Sequence, residues 1–594
     1  MRSGATRNLP HPAPPRAMAR EPHLDPPRKW GGSISTVIPA KAGIQGPQTG
    51  WHRLPACGAG HSTMEPIVYM PIHSPVRLTF LVAFAVYLAL LCPDLAWEDS
   101  GEFITASWCL GVPHAPGSPV YVLLGKILTC LPLGSVAFRV NLLSALLSAI
   151  AASLFCLFLY RRIREQRNGG WIAMGLSLSW AFSPWVMRHA LAAEVYGPAW
   201  ACLMGVFVLM DEYQRRNLRG PCSFYVLLGL LTGIGVSTSV LLIPFAFLLC
   251  VVPFVDRRGV WISLSRFGIG FILGIVPLAF PLLRSGQLPP LYQTDTGTLP
   301  GLIRFLFGGQ FENQVWEGIS RFDWTAVLWG GLGVLLLGLL AFCSGQVRQV
   351  WWIAALGAIN LGFVFLHRHP GHFFAPWPAC ALALVAHNGP VRLGRWFVPA
   401  CLVAAVFWSW HSPVRTDEIP LRWIQRSIRE IPSGSKAYLG EINTVFPHLY
   451  SAVVQREPVG LQIHPVWNST RAEQLQGVLT ANGPVYADAD LVDYCTRTRQ
   501  TPDPFADAAP QPILFRVSPA DSVNWDGWWR NETDWLRGNQ PRMTRLDRQI
   551  LGNHYFNLAV FCLERGIEMG EDLLGLARGL NPDLPDISLF VSPV

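Results

Sequence analysis

Three carboxylates crowd into five positions of the stretch Trp97-Glu98-Asp99-Ser100-Gly101-Glu102-Phe103. On a helix Asp99 and Glu102, three residues apart, share a face. Two carboxylates so placed can bind a divalent ion such as Mg²⁺ or Mn²⁺, or one of them can take the proton of an attacking hydroxyl. The same residues also suit a short acidic loop that is merely solvated. His114, in Gly111-Val-Pro-His-Ala-Pro-Gly-Ser-Pro119, is spaced to orient Asp99 or to touch a phosphate, or simply to face water.

A phosphate leaving group gathers negative charge as its bond breaks, so basic groups are wanted nearby. Arg139, in Arg139-Val-Asn141, and Arg284 are the candidates, although an arginine at a membrane surface also serves as a headgroup anchor. Glu194, two residues before Tyr196, is the next acid available. The group His367-Arg-His-Pro-Gly-His372 has metal-ligating side chains, but it lies on an irregular Pro-Gly loop without a paired acid or Cys.

These residues sit between long apolar blocks. The 594-residue chain is 51% hydrophobic and 14% charged, with 24 Trp and 32 Phe, where a soluble domain carries about 25% charged residues. Apolar blocks near 20 residues, flanked by Arg, Trp and Tyr, are the mark of membrane spans. Spans are expected at 78–95, 140–160, 171–187 and 198–213. The block 224–255, interrupted by Pro244, reads as two short spans. Further spans are expected at 260–283, 324–342, 350–366, 374–387 and 396–410. The apolar run Val120–Leu131 is too short to cross about 30 Å of hydrocarbon and reads as an interfacial or re-entrant helix.

Counting from the inside, eleven crossings keep Arg161, Arg162, Arg164, Arg215, Arg216, Arg257 and Arg258 in the cytoplasm, as the positive-inside rule requires. The acid loop, Glu194 and everything after Ser412 then lie outside, in the periplasm of a bacterium. In the tail, charge rises and short β-like runs at 436–442, 484–487 and 512–517 alternate with turn residues, so 412–594 reads as an α/β domain. Its end, 553–585, resembles one tetratricopeptide-type helix pair, which needs a neighbour to cover its apolar face.

The first 63 residues differ from both parts. They hold eight Lys or Arg against Glu21 and Asp25, which accounts for +6 of the net charge of +8, together with ten Pro and eight Gly. With the charge so localised, nothing points to a nucleic-acid partner. This extension reads as disordered or untranslated; Val37–Gln45 resembles the translation of a dispersed intergenic repeat, and the expected start is Met64 or Met70. The organisation is therefore 1–63 extension, 64–411 transmembrane domain and 412–594 extracytoplasmic domain. Of 13 cysteines, ten lie in or beside apolar blocks as small hydrophobes, while Cys495 and Cys562 in the tail have the option of a disulfide in an oxidising compartment.

The strings Asp99-Ser-Gly-Glu-Phe103, Leu110-Gly-Val-Pro-His-Ala-Pro-Gly-Ser-Pro119, Arg139-Val-Asn-Leu-Leu-Ser-Ala145 and Ala193-Glu-Val-Tyr196 resemble a GT-C-type family of multi-pass membrane glycosyltransferases. Its animal member is a transmembrane protein O-mannosyltransferase of plexin-type receptor domains. The likeness extends over about residues 77–390. It departs at Ala115, where the family has a second proline, and at Gly235, Ser237 and Thr238, where the family carries a His in the fifth span.

The resemblance implies a polytopic α-helical GT-C-like fold and a polyprenyl-phosphate sugar donor, mannose being the family's sugar, with an acceptor hydroxyl on protein or glycan. Asp99 becomes the catalytic carboxylate with Glu102 beside it. His114, Arg139, Asn141, Glu194, Tyr196 and Arg284 become donor-binding candidates. No glycine-rich nucleotide loop stands out, which suits a lipid-borne donor. A transporter or flippase of a lipid-linked intermediate is the competing class; it calls for internal repeats and mid-span charges. A reporter fused after Ser412 is expected to be active only outside the cytoplasm and one at Arg164 only inside. Reversal of either would break the eleven-span arrangement.

Overall fold

The computed structural model describes residues 74–306 and 419–587, apart from 166–167, 216–221, 240–259, 294–295, 466–476, 479–483, 498–508, 511–513 and 519–524. The spans expected between 324 and 410, and the three-histidine group at 367–372, fall outside the described residues. So does the extension 1–63.

Helix α1 (Ser74–Leu90) climbs to the acid loop, which leads into α2 (Ser100–Cys109). Helix α3 (Pro119–Thr129) starts with proline at its first turn, where the missing N–H costs nothing. Its 11 residues reach about 16 Å, so it stays at one end of the bundle, as the length of the apolar run required. Helix α4 (Val136–Ile163), with 28 residues, is the longest apolar helix among the described residues. It is capped by Ser135, whose hydroxyl accepts from the Phe138 N–H at 3.1 Å.

The span expected at 171–187 is divided. Helix α5 (Gly169–Ala181) ends at Phe182, and α6 (Pro184–Ala190) begins afresh. Pro184 cannot donate to the preceding turn and disfavours helix at Ser183, so the pattern of apolar residues runs on while the helix does not. Helix α7 (Tyr196–Arg215) then runs alongside α4. Gly197 lets them meet: a Cβ there would stand 2.9 Å from the Ser144 carbonyl oxygen. At the far end Asp211, 1% exposed, receives Arg162 at 2.7 Å and Arg215 at 2.9 Å, tying together the basic ends of α4 and α7.

Helix α8 (Cys222–Thr238) and helix α9 (Val260–Ile275) pack in parallel through facing glycines. A Cβ on Gly270 would lie 2.0 Å from the Val226 carbonyl oxygen, and one on Gly233 would lie 2.8 Å from the Cα of Gly274. Gly229/Gly233 on one helix and Gly270/Gly274 on the other form the small-residue spacing by which membrane helices approach backbone to backbone. After a 3₁₀ turn, α10 (Phe280–Ser285) and α11 (Leu299–Leu306) follow. Among the described residues, Val136–Ile163 and Ser263–Ser285 are long and apolar enough to cross a membrane.

The tail opens with α12 (Ile419–Glu430) and β1 (Lys436–Leu439), then α13 (Ile442–Tyr450) and β2 (Gln462–Pro465). Next come β3 (Val485–Ala487), α14 (Ala489–Arg497), β4 (Ala509–Pro510) and β5 (Phe515–Ser518). The five strands form one sheet in the order β2-β1-β3-β5-β4, with β1 parallel to β2 and β3, and β5 antiparallel to β3 and β4. Helices α15 (Trp525–Asn539), α16 (Arg545–Glu564) and α17 (Met569–Leu580) close it. The last two are the helix pair expected near 553–585, and their apolar faces join the core of the α/β domain. Cys495 and Cys562 are two separate buried thiols, with no disulfide between them.

That core does not stop at the tail. Trp97, Ala106, Val122 and Leu291 belong to the same hydrophobic cluster as Trp423, Val445 and Phe446. The α/β domain therefore packs directly on α2 and the acid loop.

Candidate active site

Asp99 stands at the N-cap of α2, yet its side chain makes no capping bond. Capping is the usual use of an Asp at that position, so this carboxylate is left for other work. About a third of it, 35%, is open to solvent, whereas Glu102, one turn on, is fully buried. Glu102 grips His114 twice: Oε1 accepts the His114 backbone N–H at 2.6 Å and Oε2 meets Nδ1 at 2.6 Å. The Gln293 side-chain amide donates to Oε1 as well. With one ring nitrogen bound to Glu102, His114 turns the other, Nε2, toward Asp99 Oδ2 at 3.9 Å.

The loop holding His114 is fixed from two sides. The Val112 N–H donates to the Leu291 carbonyl at 2.8 Å, and the Gln293 N–H to the Val112 carbonyl at 3.3 Å. Gly111 has no room for a side chain there, since a Cβ would come within 2.7 Å of the Leu291 oxygen. Gly117, at φ +80°, makes the left-handed turn after His114 and closes it with an N–H donated to the His114 carbonyl at 2.7 Å.

Burial alone would push the His114 imidazole down, but the Glu102 and Asp99 carboxylates outweigh it and hold it up at about 10. His114 is therefore an imidazolium at neutral pH. For Asp99, burial raises the carboxyl, His114 pulls it back, and Glu102 and Glu98 push it up again, to about 6. Glu194, buried at the mouth of α7, is also raised, by burial first and then by Asp99 and Glu98.

Of the residues expected at the site, Asp99, Glu102 and His114 are brought together, with Glu194 close enough to feel their charges. Tyr196 packs on His189 at 4.3 Å between ring centres. Arg139, Asn141 and Arg284 stand apart from the cluster and bind main-chain carbonyls. Arg139 reaches Thr129 and Leu131, each at 2.5 Å, and closes the α3–α4 turn. Asn141 reaches Cys92 at 2.9 Å and Asp94 at 2.8 Å. Arg284 reaches Leu110 at 2.7 Å and Cys109 at 3.1 Å, satisfying the C-terminal carbonyls of α2.

Three residues that local sequence did not single out complete the surroundings. Arg188 pairs with Glu98. Gln293 arrives from the segment after α10, and Asn443 from the tail. None carries a local signal, because each is a single polar residue whose meaning lies in a contact across 90 to 345 positions.

Residues 99–258 match the family model described as the protein O-mannosyl-transferase TMEM260 N-terminal domain. The resemblance read from the motifs holds. The chain is similar to protein O-mannosyl-transferase TMEM260 of Mus musculus, 30% identical over 267 residues, which covers 43% of this chain and 36% of the mouse protein. It is 24% identical over 323 residues to protein O-mannosyl-transferase tmem260 of Dictyostelium discoideum, covering 49% of this chain and 39% of that protein. The chain thus spans less than half the length of the curated relatives it matches. Among solved structures, it resembles ArnT from Cupriavidus metallidurans in the apo state, at TM-score 0.42 and 11% identity over 75% of this chain and 99% of that one. The form bound to undecaprenyl phosphate gives TM-score 0.38 and 12% identity over the same shares.

The His114 charge has a measurable signature. An imidazolium held above its usual 6.5 contributes stability that is fully present below pH 6.5 and is lost as pH rises through about 10. His114→Gln should therefore lower the melting temperature more at pH 6 than at pH 10. An equal deficit at both would show that the charge of His114 is not what holds the loop.

Proposed function

We propose that this protein is a membrane glycosyltransferase of the GT-C type that moves a sugar from a polyprenyl-phosphate carrier to an acceptor hydroxyl on protein or glycan. The O-mannosyl-transferase relatives make mannose the sugar of choice. The observation that carries the reading is the line Glu102–His114–Asp99: a buried carboxylate fixes an imidazolium, which in turn faces a carboxylate that neither caps its helix nor is fully covered.

In the reaction the acceptor oxygen attacks the anomeric carbon while Asp99 takes its proton. The bond to the donor phosphate breaks with its electron pair leaving on the phosphate, and configuration inverts. His114 is charged and adjacent, so it aims Asp99 and offsets negative charge gathering at the leaving group. Glu194 and Tyr196 line the neighbouring wall for the donor. Arg139, Asn141 and Arg284 brace the turns around the site through their main-chain bonds, and the donor phosphate is left to His114.

Placement at the outer face is supported by two features. The acid loop and the α/β domain are in direct contact and so share one side of the membrane, and the Arg161, Arg162 and Arg215 group lies at the opposite ends of α4 and α7. A multi-pass inner-membrane protein with its α/β domain in the periplasm fits both.

Mg²⁺ or Mn²⁺ is compatible with the donor types, since Asp99, Glu102 and His114 offer ligand atoms within 4.8 Å of one another. Such an ion would require His114 to lose the proton on Nε2, while Nδ1–H keeps its bond to Glu102. Inhibition by a chelator would identify that mode, while indifference to it leaves His114 as the cation.

The decisive variant is Asp99→Asn, which keeps the shape but cannot accept the proton. Transfer should fall by about 10² to 10⁴-fold with insertion and yield unchanged. In the unaltered protein the rate should drop as pH falls through about 6, where Asp99 becomes protonated. Wild-type transfer by Asp99→Asn would remove the acid loop as the active site.

A further inference from the structure

We propose that Asn443, on the α/β domain, is a positioning residue for the catalytic loop: its side-chain amide holds the backbone of Glu98 and so fixes where Asp99 points. The inference rests on the reading of Asp99 as catalytic base. Glu98 immediately precedes Asp99 and adopts φ +63°, a left-handed conformation that a residue with a Cβ keeps only when its surroundings hold it there. Two groups do so. Arg188 pairs with its carboxylate, and Asn443 Oδ1 accepts its backbone N–H at 2.9 Å. The first contact is made within the helical bundle; the second comes from 345 residues away.

Asn443 is itself prevented from turning. It is 8% exposed, and its Nδ2 donates to Glu441 Oε1 at 2.9 Å, which settles which end of the amide faces Glu98. Behind it the backbone is anchored to the sheet by Asp488, 1% exposed, at the end of β3. Asp488 Oδ2 accepts the N–H groups of Gly440 and Glu441, each at 2.7 Å, and the Thr444 hydroxyl at 2.9 Å. A continuous chain of bonds thus runs from the β-sheet core through Asp488, residues 440–444 and Asn443 to the peptide just before the base.

The surrounding contacts seat the loop but do not set its direction at this point. Trp97 Nε1 donates to Asp547 Oδ1 at 2.6 Å, Tyr450 donates to Asp94 Oδ1 at 3.0 Å, and Gly101 admits the Phe446 backbone so closely that a Cβ would lie 3.0 Å from it. These tie the loop on either side, while Asn443 alone of the tail residues bonds, among the described contacts, to the residue adjoining Asp99. Misplacing a catalytic group by about 1 Å can cost about 10²-fold in rate without weakening binding.

The test uses the full chain in detergent or lipid discs, with Asn443→Ala and with Asn443→Asp combined with Glu441→Gln, the latter retaining an acceptor oxygen at the same reach. Backbone amide exchange is followed over peptides spanning 95–103, together with kcat and KM for a synthetic polyprenyl-phosphate sugar. Asn443→Ala should raise exchange in 95–103 while the tail peptides stay protected, and should lower kcat 10- to 100-fold with donor KM within about twofold. Asn443→Asp combined with Glu441→Gln, which exchanges amide and carboxylate so that an acceptor oxygen still faces Glu98 without two carboxylates meeting, should restore most of both. Unchanged exchange in 95–103, or loss of protection spread evenly through the tail, would overturn the proposal, as would unaltered kcat in Asn443→Ala. If the unaltered protein transfers no sugar, the enzymatic reading fails, and the exchange result still decides whether Asn443 holds the loop.

Discussion

A fully buried carboxylate must find partners, because leaving it uncompensated away from water costs several kcal/mol. Glu102 is that carboxylate, and its partners determine the architecture around it. It draws the His114 backbone and ring onto α2, and it takes the Gln293 amide from the segment after α10. Two separate stretches are thereby locked to one turn of helix. The consequence for chemistry is that Asp99, on the same turn, is spared both the capping and the bracing and is faced by an imidazolium.

The second constraint is that this helix has almost no free surface. Gly101 is pressed against the tail, Gly125 of α3 has no room for a Cβ beside Ser107, and Arg284 covers the C-terminal carbonyls. The α/β domain is thus part of the wall of the site. A membrane bundle whose helices meet through glycine seams, as α8 and α9 do, has little apolar driving force to aim a polar loop. The α/β domain, with its own sheet and core, packs against that loop.

Much of this was legible in the chain. Asp99 and Glu102 were readable from their three-residue spacing, and α3 from a run too short to cross a bilayer. The strands β1, β3 and β5 showed as brief β-like runs between turns. The break between α5 and α6 was masked because apolar residues continue across Pro184. Arg139 and Arg284 look like phosphate ligands in sequence, yet helix ends nearby offer them unsatisfied carbonyls, and only the folded chain reveals that. Gln293, Arg188 and Asn443 were invisible for a different reason: a lone polar residue has no period and no spacing, and its role is defined by a partner far along the chain.

The central claim, that this constellation transfers a sugar from a lipid phosphate, is tested most directly by incubating the purified chain with synthetic polyprenyl-phosphate mannose and a hydroxyl-bearing acceptor, and following glycosylated product by mass spectrometry. The account predicts product that requires the lipid-linked donor and is not formed from a nucleotide sugar. Movement of the intact lipid-linked sugar across a vesicle membrane, with no product formed, would contradict it.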